Sequence, residues 1–279
     1  VAKVVIAGLD PNPQVAGKGK QLLEDAGIEV VTGLLEEEAL ALNPGFYQRM
    51  QTGLPRISLK LAASLDGKTA LANGESQWIT SPQAREDVQK LRAASCAIIT
   101  GADSVLHDNS QLNVRKVNFT SLEGFQQPLR VVVDSQLRLP KQAKILQVAG
   151  RCLIATLETT LTSQAAKAEE LKQAGATLIG LPANTLGKVC LTSLAKHLAQ
   201  EEKCNEVLLE TGARLAGAFV EAGLVNQLYL YLAPKLLGSA AKGLINLPVL
   251  TQLTQAPQLS FTSGKQIGPD WRFELEFRS

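Results

Sequence analysis

Five charged side chains stand where the chain is otherwise apolar or turning: Lys60, Arg92, Asp108, Arg115 and Glu210. Lys60 interrupts the apolar run LKLAA. Facing a cleft, it can donate a proton or hydrogen bond to a carbonyl oxygen during a reduction; the alternative is a lysine that snorkels to the surface. Arg92 sits near the end of a proline-started helix and Arg115 just after a polar loop. Two arginines in one strand-edge region suit bidentate capture of a sugar phosphate, although single arginines are mostly solvated charges. Glu210 closes the apolar strand EVLLE, and a carboxylate there needs a partner. Asp108, in LHDN, either serves a site or fixes a turn through its own backbone.

Other residues carry weaker signals. Asp66-Gly67 is a turn dipeptide, and Ser81 before Pro82 reads as a helix cap. Trp78, flanked by Ser76 and Thr80, is either a core residue or the cover for a flat heterocycle. After Glu210 the chain turns at Gly212 into a helix of small residues, whose first amides can face a phosphate. That segment lacks a GxGxxG pattern, so alone it reads better as a structural αβ turn; Arg214 beside it can reach a 2′-phosphate. His107 and His197 do not pair with cysteines at metal-ligand spacing, and no metal is expected. Cys96, Cys152, Cys190 and Cys204 form no CxxC pair and read as buried free thiols.

The elements that position these groups alternate between strand-like and helix-like segments, which argues for a mostly parallel sheet covered by helices. Strands are expected over 1–8, 28–33, 57–63, 96–100, 129–135, 152–156, 176–181 and 206–210. Between them lie GKGKQLLEDAG, a helix interrupted around Asn43-Pro44-Gly45, a helix over 82–94, SQAAKAEELKQAG, LTSLAKHLAQEEK and LAGAFVEAG. A polar loop with a short helical turn is expected before Arg115. The tail differs: NQLYLYLAPKLLG, QLSFTSGKQI and DWRFELEFRS read as long β segments, an antiparallel end to the sheet. The βαβα piece of the first fifty residues is too small for its own core. Gly45 to Pro55 is the domain boundary, separating 1–50 from 55–279.

Bulk properties narrow the function classes. Of 279 residues, 45% are hydrophobic and 19% charged, as in a globular protein with a real core. A net charge of +2 gives no electrostatic case for nucleic acid or an anionic membrane, and 4% aromatics are too few for a base-stacking platform. No apolar run reaches the length of a membrane span, so a cytoplasmic location is the expectation. Val1 rather than Met at the first position fits a piece of a longer protein.

Several strings together resemble one family. KLAASLDGKTA, GESQWITSPQAR, DVQKLRA, CAIITGADSVLHDN, LNVR, VVVDSQ, LLETGARLAGA and LYLAPKLLG, in that order over 55–279, are similar to the reductase half of the bifunctional riboflavin-biosynthesis deaminase–reductases. LDPNPQVAGKG, AGIEV and NPGFYQRMQTG resemble the end of the preceding deaminase domain, while that domain's zinc signature is missing. The resemblance implies an α/β, dihydrofolate-reductase-like fold and NADPH-dependent reduction of the ribosyl group of 5-amino-6-(5-phosphoribosylamino)uracil to ribityl, without deamination. It also implies a deaminase domain in the full-length protein, and the long apolar segment LYLYLAPKLLG suits an intersubunit sheet, so a homodimer is expected.

Residues carry over where they match. Ala62, Trp78, Ser104, Asp108, Ser135 and the run Gly212, Ala213, Arg214, Leu215, Ala216, Gly217, Ala218 match cofactor-contacting positions. Ser76, Arg92, Leu112, Arg115 and Glu210 match substrate-contacting ones, and Lys60, Asp108 and Glu210 are the candidates around the reacting carbon, Lys60 as proton donor. The chain departs from the family where Asp108-Asn109-Ser110 replaces Asp-Asp-Pro and where Gly212-Ala213-Arg214 replaces Gly-Pro-Thr. Arg214 is then either a 2′-phosphate contact of this sequence or a solvent-facing replacement. Two further readings stand beside this one: a reductase of another heterocycle on the same fold, and a catalytically silent fragment that dimerises through its β tail.

Overall fold

The structure, a computed structural model, describes residues 1–115, 121 and 123–278. They form two compact units, Val1–Arg56 with Lys196–Asn205, and Ile57–Ala195 with Glu206–Ser279.

In the first unit β1 (Lys3–Ile6) pairs in parallel with β2 (Glu29–Thr32), and α1 (Lys18–Asp25), α2 (Glu36–Leu42) and α3 (Pro44–Thr52) complete it. The break at Asn43 falls where Pro44 starts a new helix. Across residues 1–54 only Gly45 is buried. The segment 196–205, which the sequence places with the later domain, groups here. Asn205 accepts from Arg49 Nε through its side chain (2.6 Å) and from the Arg56 amide through its carbonyl (2.8 Å).

The second unit is built on nine strands. In chain order they are β3 (Arg56–Ser64), β5 (Ala97–Gly101), β6 (Leu129–Val133), β7 (Cys152–Leu157), β8 (Ala176–Leu181), β9 (Glu206–Glu210), β10 (Gln227–Ala233), β12 (Leu259–Ile267) and β13 (Asp270–Phe277). Their order across the sheet is β12-β13-β10-β3-β9-β5-β6-β7-β8. β10 runs parallel to β3, and β9, β5, β6, β7 and β8 are mutually parallel, while β13 and β12 pair antiparallel at one edge. Near-continuous apolar strands such as β5 and β7 are what a sheet covered on both faces demands. The antiparallel tail matches the reading of the sequence.

Helices α4 (Pro82–Ala93), α5 (Ala102–Asp108), α6 (Lys144–Gln147), α7 (Glu158–Ser163), α8 (Ala165–Gln173), α9 (Leu191–Gln200) and α10 (Ala213–Glu221) connect the strands. Ser81 caps α4, its hydroxyl accepting from the Ala84 amide at 3.2 Å. Three details differ from expectation. The helical turn expected in the polar segment after β5 is longer, a seven-residue helix, α5, that starts directly at the strand end. A separate short helix, α7, precedes α8. Two very short strands, β4 (Lys68–Ala70) and β11 (Lys242–Gly243), pair with each other, too brief for any periodicity to reveal.

Cys152 and Cys204 are buried as expected, but Cys96 is exposed, because it stands just before β5 enters the sheet. Arg130, inside β6, is fully buried and has no carboxylate partner among the described residues. Its guanidinium instead donates to the carbonyls of Ile145 (2.8 Å), Val148 (3.1 Å), Arg151 (3.3 Å) and Gly150.

Candidate active site

Parallel strands leave a crevice beyond their carboxyl ends, and ligands of such folds bind there. In the second unit that crevice is a cleft of about 1320 Å³, walled by Thr100 and Gly101 of β5, Val133 of β6, Glu210 of β9 and the Lys60–Ala62 stretch of β3. Nine Lys or Arg side chains line it against three carboxylates, Asp103, Asp108 and Glu210. That local excess of six positive charges exceeds the +2 of the whole chain. Such a cleft concentrates anionic ligands.

At its floor lies one electrostatic cluster. Arg92 projects from α4 and Glu210 from the end of β9, and the guanidinium grips the carboxylate twice, Nε to Oε1 at 2.6 Å and Nη2 to Oε2 at 3.0 Å. A third Arg92 bond, from Nη1 to the Asn113 carbonyl (3.0 Å), ties α4 to the loop that carries Arg115. Glu210 thus has the partner its position demanded. Burial pushes the Glu210 carboxyl up, but Arg92, with lesser help from Lys60 and Arg115, outweighs it and holds the group below the usual carboxylate range. Burial pulls the Lys60 ammonium down and Arg92 adds to that, while Glu210 opposes; the net direction is downward. A lysine of lowered pKa beside a fixed carboxylate is equipped to give up a proton.

Of the residues picked from sequence, Lys60, Ala62, Ser76, Trp78, Arg92, Ser104, Asp108, Leu112, Arg115, Ser135, Glu210, Gly212, Ala213, Arg214, Leu215 and Ala218 all face this one cleft. Ala216 and Gly217 do not: Ala216 has no exposed surface, and the Asn246 carbonyl lies 1.6 Å from where a Cβ on Gly217 would be. Leu112 meets the cleft only at its margin, its side chain buried in the core and its φ at +51°. Arg92 is committed to Glu210, so the two arginines are not an equivalent pair. The exposed Arg115 guanidinium has no acceptor among the described residues, and only its backbone amide is bound, to Gln89 Oε1 at 2.8 Å. Asp108 pairs with His107 (3.0 Å) and exerts no electrostatic influence on Lys60 comparable to that of Glu210. Arg214 is exposed on the cleft wall.

Sequence reasoning missed Thr100, Arg85, Arg138, Lys188 and Lys242, which also line the cleft. Arg85 alone left a trace, lying in the first turn of the helix that follows Trp78.

The cleft suits a dinucleotide. Ser104 Oγ accepts from the Gly212 amide (3.2 Å), while the Ala213, Arg214 and Leu215 amides, at the start of α10, have no acceptor among the described residues. Thr100 Oγ1 is buried in the wall without a hydrogen-bond partner, a polar atom that a ligand can satisfy. Among the described residues no cluster of three or more His, Cys, Asp or Glu is placed to hold a metal, and no helix is long and apolar enough to cross a membrane.

A sheet of this topology with a cationic cleft, free amides at a helix start and a Lys–Glu–Arg cluster defines a nucleotide-binding α/β enzyme. The chain belongs to the RibD C-terminal domain family, whose model matches residues 55–273. It is 46% identical to the riboflavin biosynthesis protein RibD of Escherichia coli, over 97% of this chain and 73% of that one. The corresponding Haemophilus influenzae protein is 42% identical over 97% and 71%. Among solved structures, Acinetobacter baumannii RibD superposes with a TM-score of 0.88 at 39% identity, covering all of this chain and 74% of the other.

Proposed function

We propose that this chain is the reductase of riboflavin biosynthesis that converts the ribosyl group of 5-amino-6-(5-phosphoribosylamino)uracil to ribityl, with NADPH as the reductant. The observation that carries this reading is one cationic cleft that joins the Lys60–Glu210–Arg92 cluster to Arg115, unpaired among the described residues, and to the free amides of α10.

We assign the roles as follows. NADPH supplies the hydride. Opening the ribose ring at C1′ leaves a sugar oxygen that must gain a proton as the carbon is reduced. Lys60 is the donor: its ammonium is destabilised by burial, so proton release costs less than from a solvated lysine. Glu210, fixed by two bonds to Arg92, stays ionised and acts on that ammonium through its charge. Arg115 takes the 5′-phosphate, its donors being uncommitted. The nine cations favour a cofactor with an additional phosphate, hence NADPH rather than NADH. Trp78, Ser104, Ser135 and the start of α10 hold that cofactor, and Ser76 and Leu112 border the substrate. We assign Asp108 to the cofactor rather than to the reacting carbon, because Glu210 and not Asp108 acts on the Lys60 charge.

The family model starts at residue 55, whereas the RibD relatives align over nearly the entire chain. We read residues 1–50 as the end of a deaminase part that lacks its zinc site. A phosphorylated substrate, favoured by Arg115, separates this function from a reductase of an unphosphorylated pterin. The test is NADPH oxidation followed at its absorbance band. The expected result is turnover with the phosphoribosylaminouracil and none with dihydrofolate; the reverse pattern overturns the reading.

A further inference from the structure

Trp78 is 61% exposed, yet one face of its indole is already taken. The Arg85 guanidinium carbon lies 4.2 Å from the ring centroid. Both partners are anchored: Arg85 Nη1 donates to the Thr80 carbonyl at 2.7 Å, and Lys235 Nζ donates to the Trp78 carbonyl at 2.8 Å. Both side chains line the cleft, so the indole offers one remaining face to whatever binds there.

A cation on one face of an aromatic ring changes the other. The face of an indole is the negative pole of its quadrupole. A guanidinium stacked there draws electron density toward itself. The opposite face then receives an electron-rich ring more readily and a cationic ring less readily. A flat ring stacked on that face, with its centroid about 4.5 Å from the indole, is separated from the guanidinium only by the indole itself. Water cannot enter between them to screen a second positive charge.

We propose that Arg85 and Trp78 form one unit that selects a neutral dihydronicotinamide over its pyridinium form, Arg85 acting as the positioning and specificity-determining residue behind Trp78. The inference rests on the reductase reading above and adds to it a way of discharging the oxidised product. The two cofactor forms share every phosphate and sugar group, so the ratio of their affinities isolates the nicotinamide ring.

The experiment is calorimetric titration of the full chain with NADPH and with NADP⁺, for the parent, Arg85→Met, Trp78→Leu and the double variant. The ratio Kd(NADP⁺)/Kd(NADPH) is expected to fall on the order of 3- to 10-fold in each single variant. The double variant should fall no further, because the residues act together. Should Arg85→Met fail to fold, Trp78→Leu still reports on the same ratio. A ratio in Arg85→Met equal to the parent's overturns the inference while the reductase reading stands; so does a double variant whose loss is the sum of the two. A chain that binds neither form sinks both.

Discussion

Arg92 and Glu210, 118 residues apart in sequence, meet at the cleft floor through two hydrogen bonds of 2.6 and 3.0 Å. Both side chains are close to nine-tenths buried. A buried pair of this kind contributes little net stability, but removing one partner strands the other's charge. Arg92→Ala is therefore expected to destabilise the fold by about 3–5 kcal/mol. Replacing both residues by methionine should recover most of that loss. Denaturant unfolding of the two singles and the double measures it; a loss below about 1 kcal/mol in Arg92→Ala would place the pair in the weak, solvent-screened class.

Lys60→Met removes the proposed proton donor and leaves its volume. Turnover is expected to drop about 100-fold or more, with KM for both substrates nearly unchanged. The sign of the pH dependence follows from the lowered lysine. The protonated form is the active one, so the rate is steady below the pKa of Lys60 in the folded chain and declines as pH rises through it. That pKa lies below 10.5, so the basic limb begins earlier than a solvated lysine would give. The limb should be absent from the residual activity of Lys60→Met. An unchanged profile assigns the limb to another group.

Arg115→Ala tests the phosphate grip. Its guanidinium is bound to no described residue, so the substitution breaks no internal bond and the fold should be unaffected. KM for the phosphorylated substrate is expected to rise about 10-fold or more, with KM for NADPH within a factor of two. Equal losses for both ligands would mean that Arg115 serves the cleft's general charge rather than one phosphate.

The strands of the sheet's parallel part and its antiparallel end were legible in the sequence because each rests on a local signal, and most of the cleft wall was legible through the resemblance; the order of the strands across the sheet was not. Apolar runs marked β3, β5 and β9, and the carboxylate closing β9 announced that it needed a partner. What stayed hidden is long-range. No pattern near Arg92 says that its fork is used up on Glu210 rather than on a phosphate. The resemblance placed Ala216 and Gly217 with the cofactor residues, since they continue a run that starts in the cleft. A helix, however, turns about 100° per residue, so part of any such run must face the core. Asp66 is a similar case. Read as half of a turn dipeptide, it also accepts from the amides of Leu237 and Gly238, at 3.1 and 2.8 Å, and so joins the β3–β4 turn to a loop 171 residues away.

Gly217 supplies the last prediction. It lies on the inner side of α10, and the Asn246 carbonyl passes 1.6 Å from the place where a Cβ would stand. The neighbouring backbone carbon would be 2.7 Å away, so no rotation of a flexible side chain relieves the clash. The segment bearing Asn246 is bound to the same helix by the bond from its amide to the Ala213 carbonyl (3.1 Å), and Asn246 also lines the cleft. Gly217→Ala must therefore push this segment off the helix or shift the helix itself. Overpacking of this sort costs about 1–3 kcal/mol, and a change of that size lowers the melting temperature of a domain this large by roughly 2–12 °C. NADPH affinity should weaken with it, because α10 carries the amides proposed to hold the cofactor. A Gly217→Ala chain with unaltered melting temperature and NADPH affinity would mean that the Asn246 segment does not rest on α10 as described.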